Sequence, residues 1–236
     1  MAEMGLGYGS EYQLLRYLGH HRNELDKTIR ENTRLKGELI WLDFPKDKNK
    51  LSLDGEYKGI EFLRTEIEPL TFKKLQNKWK EYWSSDGNPP NWDGIILHKN
   101  GDDKEWIIIE AKAHLKEIES KTESGSNQNI QNAFVKTQKR FEICSNNWFG
   151  KYYQLANRLA FVNFLLDNKI NASLLYIYFL NGYEKRQLQG RKVETIENKS
   201  AKKAEEWEKV IKEEYIELGI NNKAEKYISK IFIDCK

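Results

Sequence analysis

At 236 residues, with 39% hydrophobic and 32% charged positions, seven Trp and twelve Tyr, the chain has the composition of a folded globular protein and not of a disordered one. It is long enough to bury one core, and nothing in its length calls for a second domain. The 39 Lys and Arg against 36 Asp and Glu leave a formal charge of +3, too little to argue for nucleic acid from net charge, so any basic surface must be local.

The opening MAEMGLGYGSEYQ has no charged leader followed by an apolar run, and the apolar runs are too short for a bilayer, so a cytoplasmic protein without a membrane partner is expected. Cys144 and Cys235 have no metal-ligand or disulfide-framework spacing and are expected as reduced, mostly buried thiols. In chain order, Ser10 can cap a helix through 11–32, where Leu14, Leu15, Leu18, Leu25 and Ile29 form one apolar stripe. ELIWLDFP reads as a strand stopped by Pro45, and IEFLRTEI (60–67) as a second strand after the polar excursion 46–59. Phe72, Leu75, Trp79 and Trp83 recur at helical spacing, and SSDGNPP ends that helix. Beyond the hairpin that follows, 120–128 is a loop, and helices are expected over 129–143 and 151–168. ASLLYIYFL reads as a fully covered central strand, 184–200 as a loop or insertion, 201–218 as a charged amphipathic helix and 227–235 as a last strand.

The segment NWDGIILHKNGDDKEWIIIEAKAH (91–114) places charges where a greasy hairpin needs apolar side chains. Strand alternation sets Glu110 and Lys112 on one face and Ile109 and Ala111 on the other. With Asn100 to Asp103 as a four-residue loop, Lys99 faces Lys104 and Asp93 falls opposite Glu110. Two facing carboxylates repel, and a divalent cation is the simplest compensation. Oxygen donors without His or Cys suit Mg²⁺ or Mn²⁺, which leave positions for water and phosphate, and Lys112 can activate water or offset charge on phosphorus oxygens. The acid-x-Lys spacing recurs by chance at Glu56, Asp102, Glu119, Asp167, Glu197 and Asp234. Only at Glu110 does it end an apolar strand preceded, across a turn, by another that begins with an acid. The bland alternative is a surface hairpin with an ordinary Glu–Lys pair.

Asp93 with Glu110-Ala111-Lys112 resembles the PD-(D/E)xK nuclease superfamily, although Trp92 and not a proline precedes the acid. GSEYQLLRYLG, WLDFP, NWD, EAKAH and YYQLANRLAF resemble a group of bacterial proteins with this nuclease-like core, over roughly residues 8–180. The resemblance implies an α/β restriction-endonuclease-like fold, a mixed central sheet flanked by helices, in one domain over 1–236 with a C-terminal addition at 200–236. It also implies a Mg²⁺- or Mn²⁺-dependent phosphodiester hydrolase acting on nucleic acid, DNA foremost, with a homodimer left open. Asp93, Glu110 and the Ala111 carbonyl would hold the ion, completed by Glu11 or its rival Glu38. Glu11 shares a face with Leu14, Leu15 and Leu18, but equally suits a helix N-terminus electrostatically.

Around the site, His114 would continue the Lys112 face toward phosphate or lie at the surface. Gln154, Asn157 and Arg158 share a helical face that meets the nucleic-acid backbone or solvent. Lys136, Lys139 and Arg140 are candidates for phosphate contact, whereas the mixed charges of 201–214 suggest a solvated face. Trp79 and Trp83 suit core packing more than base stacking. Two other readings stand beside the nuclease: a catalytically silent nucleic-acid-binding or interaction module, and an enzyme using Glu110 and Lys112 for acid/base work without a metal.

Overall fold

Two helices, Gly9–His20 (α1) and Arg22–Thr33 (α2), begin the computed structural model, which describes residues 9–43, 56–83, 89–120, 127–145, 147–182, 186–189, 192–195 and 200–235. The single helix expected over 11–32 is thus broken at His21, whose φ of −130° and ψ of 27° leave the helical region. Backbone bonding is kept across the break: His21 N donates to Tyr17 O at 3.0 Å and Leu25 N to His21 O at 2.9 Å. The bend lets Leu14 and Tyr17 of α1 and Leu25 and Ile29 of α2 bury against the same sheet surface. Ser10 lies inside α1 and not at its cap.

Strand β1 (Glu38–Trp41) stops short of Pro45, which lies outside the described residues. A short β2 (Tyr57–Lys58) precedes a 3-10 turn at Glu61–Thr65, in place of the strand expected over 60–67. Phe62 and Leu63 are both buried, and adjacent residues facing one core do not fit strand alternation. Helix α3 (Pro69–Tyr82) is capped by the Glu68 carboxylate, then come β3 (Asn91–Trp92), β4 (Gly94–Asn100) and β5 (Asp103–Lys112). Lys99 pairs with Lys104 and Asn100 with Asp103 around Gly101, whose φ of +62° is the left-handed conformation a two-residue turn requires. Helices α4 (Gln128–Phe141) and α5 (Tyr153–Asp167) lead to β6 (Ala172–Leu180). Within 184–200, the expected loop, the described residues form a two-stranded ribbon, β7 (Arg186–Gln189) and β8 (Lys192–Thr195). Helix α6 (Ala204–Leu218), a short α7 (Asn222–Glu225) and β9 (Ile228–Asp234) complete the chain.

The central sheet has the order β1-β4-β5-β6-β9. Pairs β1–β4 and β4–β5 are antiparallel, while β5–β6 and β6–β9 are parallel, giving a mixed five-stranded sheet flanked by helices. On one face, Ile107, Ile109, Ala111, Ile177 and Phe179 pack under α1 and α2. On the other, Ile108, Leu174, Tyr176 and Tyr178 meet α4, α5 and α6 through Phe134, Phe161 and Trp207. Trp83 and Trp92 are buried in this second core, and Trp79 stacks on Trp83. Cys235 is half-buried, but Cys144 is exposed, against expectation. Among the described residues no helix is long and apolar enough to cross a membrane.

Strand β6, covered on both faces, makes the most sensitive test of this core. Ile177→Ala is expected to lose about 2–5 kcal/mol by urea unfolding, whereas Ile216→Ser, at a residue 70% exposed, should stay within about 0.5 kcal/mol of the parent.

Candidate active site

The alternation of β5 turns Glu110 and Lys112 toward the α4–α5–α6 face, with Tyr176 and Tyr178 beside them on the parallel neighbour β6. One step past the last β4–β5 pair, Gly94 with Ile109, the register sets Asp93 opposite Glu110. Asp93 is half-buried and off the ladder, and its Oδ2 accepts from Ala111 N at 2.7 Å. The Ala111 carbonyl leaves the strand on the same edge as that N–H. The cluster lies at the carboxyl end of the parallel strands, where open α/β sheets bind ligands.

Helix α5 closes the cluster from above. Glu110 Oε1 accepts from Lys112 Nζ and Gln154 Nε2, each at 2.8 Å, and Lys112 Nζ also donates to Gln154 Oε1 at 2.7 Å. Glu110 Oε2 accepts from Arg158 Nε, with Arg158 Nη2 also at 2.9 Å. The guanidinium further donates to Asn91 O at 3.0 Å and Asn157 Oδ1 at 3.3 Å, and lies 4.8 Å over the Trp92 ring. Glu110 is 3% and Lys112 6% exposed, so these charges interact with little solvent screening.

Burial opposes the charge on Glu110, but Arg158 and then Lys112 overcome it and hold the carboxyl below its ordinary value. Burial likewise opposes the ammonium of Lys112, and Glu110 and Asp93 outweigh it, so Lys112 is kept protonated. Asp93 goes the other way: burial first and the Glu110 charge second push it up to about 8, against the pull of Lys112, the Ala111 N–H and Arg158. Two facing carboxyls are thereby driven apart in proton affinity.

A third acid lies beneath them. Glu214 of α6 is 2% exposed, its Oε2 finds no partner among the described residues, and burial pushes its carboxyl up to about 8, with Lys112 opposing and Glu110 adding to the rise. The hydroxyl of Tyr176, beside Glu110 in the sheet, is also buried without a partner. Helix α6 is therefore not merely a solvated charged helix. Trp207, Ile211, Glu214 and Leu218 form its buried stripe, and that spacing through an acid was the available sequence signal.

The remaining sequence candidates fall in different places. Gln154 and Arg158 enter the cluster as partners of Glu110, and Asn157 and Arg158 are buried, so this helix face is not the solvated one. His114 is buried and paired through Nδ1 with Glu117 Oε1 at 2.7 Å, while Glu117 Oε2 accepts from Ala113 N at 3.0 Å. The structure does not bring Glu38 to the cluster: it pairs with Lys99, about 17 Å along β4 from Gly94. Glu11 sits on α1, which packs against the opposite face, and burial and the charge of Glu56 raise its carboxyl. Arg140 is tied to Asn163 and Asp167, about 14 Å along α5 from Arg158. Lys136 lies 5.7 Å over the Tyr82 ring, and Lys139 is exposed on the same helix.

Among the described residues no three His, Cys, Asp or Glu side chains gather as a metal site. The chemistry that is present, two facing carboxylates with a main-chain carbonyl on the same edge, fits one hard divalent cation that keeps waters or phosphate in its other positions. The rise on Asp93 is the strain such a cation would relieve. Comparison with family models, curated proteins and solved structures found no match for this chain.

Two outcomes follow for the metal-free protein. Removing the Glu110 charge strands buried Lys112 and Arg158, so Glu110→Gln should cost about 3–5 kcal/mol, whereas Asp93→Asn removes repulsion and should keep or raise Tm. A carboxyl raised in the fold contributes stability that is complete below its unfolded value, 4.5 for Glu214, and is lost as pH rises through about 8. Tm should therefore fall from pH 5 to pH 8.5, and Glu214→Gln should flatten that fall in a calorimetric pH series.

Proposed function

We propose that the protein is a metal-dependent phosphodiester hydrolase of the PD-(D/E)xK type, with a restriction-endonuclease-like core, acting on DNA. The observation that carries this reading is the cluster itself: Asp93 opposite Glu110, with Lys112 held as an ammonium between Glu110 and Gln154, at the carboxyl end of a parallel strand pair. The mixed α/β sheet supports the resemblance at the level of fold class.

In this reading Asp93, Glu110 and the Ala111 carbonyl hold Mg²⁺ or Mn²⁺. A bound ion of that kind supplies Lewis-acid polarisation of the phosphate and a nucleophile at neutral pH. Lys112, kept charged by Glu110 and Asp93, is suited to offset negative charge growing on the phosphorus oxygens and not to serve as the base. Gln154 fixes the ammonium, and Arg158 fixes the Glu110 carboxylate without offering a nitrogen to substrate.

One observation favours a second reading. Asp93 is raised and Glu110 lowered, the division of proton affinity that acid/base catalysis without a metal uses. Incubation with linear, circular and single-stranded DNA and with RNA, in Mg²⁺, Mn²⁺ or chelator, separates the two. The nuclease reading expects ion-dependent cleavage that Asp93→Asn abolishes along with tight Mn²⁺ binding in calorimetry. Lys112→Ala should lose about 10²–10³ in rate while still binding Mn²⁺. Cleavage by Asp93→Asn at the parent rate would refute the proposal.

A further inference from the structure

We propose that the β7–β8 ribbon is the element that grips the nucleic acid, entering the major groove of duplex DNA beside the candidate site; the inference rests on the nuclease reading for its choice of a phosphodiester ligand. Strand β6 ends at Leu180, two residues past the pairing of Tyr178 with Lys112. There the chain leaves the sheet and returns to the same point. Asn181 N donates to Ala201 O at 2.8 Å and Gly182 N to Ser200 Oγ at 2.7 Å, so both ends of the excursion are fastened together. That root touches the residue after Lys112: a side chain added at Gly182 would lie 3.2 Å from Ser200 Oγ and 3.7 Å from the Ala113 carbonyl oxygen. Gly182 is required by this close approach, and the excursion is anchored at the cluster itself.

The ribbon forms its own two-stranded sheet, with Arg186 opposite Thr195 and Gln189 opposite Lys192, separate from the five-stranded sheet. An isolated pair of strands is marginal in water and gains from a surface to lie on. Its sequence says which surface. Lys185, Arg186, Arg191 and Lys192 occupy half of the eight positions KRQLQGRK, with no acid among them, in a chain whose Lys and Arg total 39 of 236 and whose net charge is only +3. The local basic surface that the net charge left unplaced is here. A major groove admits a two-stranded ribbon, and its flanking phosphates match a run of cations. The Lys136, Lys139 and Arg140 group, by contrast, has Arg140 tied down at the far end of α5.

The test measures binding of a labelled DNA duplex in chelator, where cleavage is silent, over a salt series. One variant carries Lys185→Ser, Arg186→Ser, Arg191→Ser and Lys192→Ser together. The other joins Gly182 to Ser200 by a short Gly-Ser link in place of 183–199, which decides the matter should the first fold poorly. Both should lose at least about tenfold in affinity, and the slope of log K against log salt should fall by roughly 3, near 0.9 for each phosphate no longer neutralised. Parent-like affinity and slope in either folded variant would overturn the inference, as would a parent that binds single strands but not duplex. Cleavage that Asp93→Asn abolishes while ribbon variants still bind like the parent would sink the ribbon and leave the nuclease standing. Ribbon-dependent duplex binding by a parent that never cleaves would do the reverse.

Discussion

The burial of Glu110 between Lys112 and Arg158 is the interaction on which the site depends. A carboxylate taken out of water is costly unless its lone pairs and charge are both answered, and here each oxygen accepts from two nitrogens. Those nitrogens come from β5 itself and from α5, so the network fixes where the helix lies over the sheet as well as the ionisation of the acid. With Glu110 committed to the charged form, Asp93 across the hairpin is the group left to vary. Its proton affinity is set chiefly by burial and by its neighbour's charge.

The sheet explains why these groups can meet. The hairpin supplies the Asp93 to Glu110 juxtaposition through register alone, and the switch from antiparallel to parallel pairing at β5 leaves its carboxyl end open on the β4 side while β6 supports it on the other. Alternation then sorts the residues of β5, with Ile109 and Ala111 going to α1 and α2, and Glu110 and Lys112 to the helices opposite. Glu11, carried on α1, is separated from the Glu110 face by the sheet.

What was legible in the sequence was local. The hairpin register, the two-residue pairing of Lys99 with Lys104, and the central place of β6 follow from period-2 alternation and an unbroken apolar run, signals contained within a few residues. The break at His21 was hidden because Leu14, Leu25 and Ile29 keep a helical stripe on both sides of it. The turn at Glu61–Thr65 was hidden because consecutive buried residues in a short apolar segment do not identify their own period. Arg158 and Glu214 were harder still. Their partners lie on β5, 48 and roughly a hundred residues earlier, and only the tertiary arrangement tells a buried cation or acid from a solvated one on a charged helix.

That separation along the chain also sets an order of assembly. The hairpin closes over a two-residue turn and forms early, whereas the β5–β6 pairing and the arrival of α5 must close loops of more than forty residues. Before then, Asp93, Glu110 and Lys112 sit on an open ribbon in water at near-ordinary proton affinities. The perturbed carboxyl of Asp93 therefore appears late and only once, as the signature of a completed fold, and a chain emerging from synthesis does not carry a preorganised cluster until its second half has folded over it.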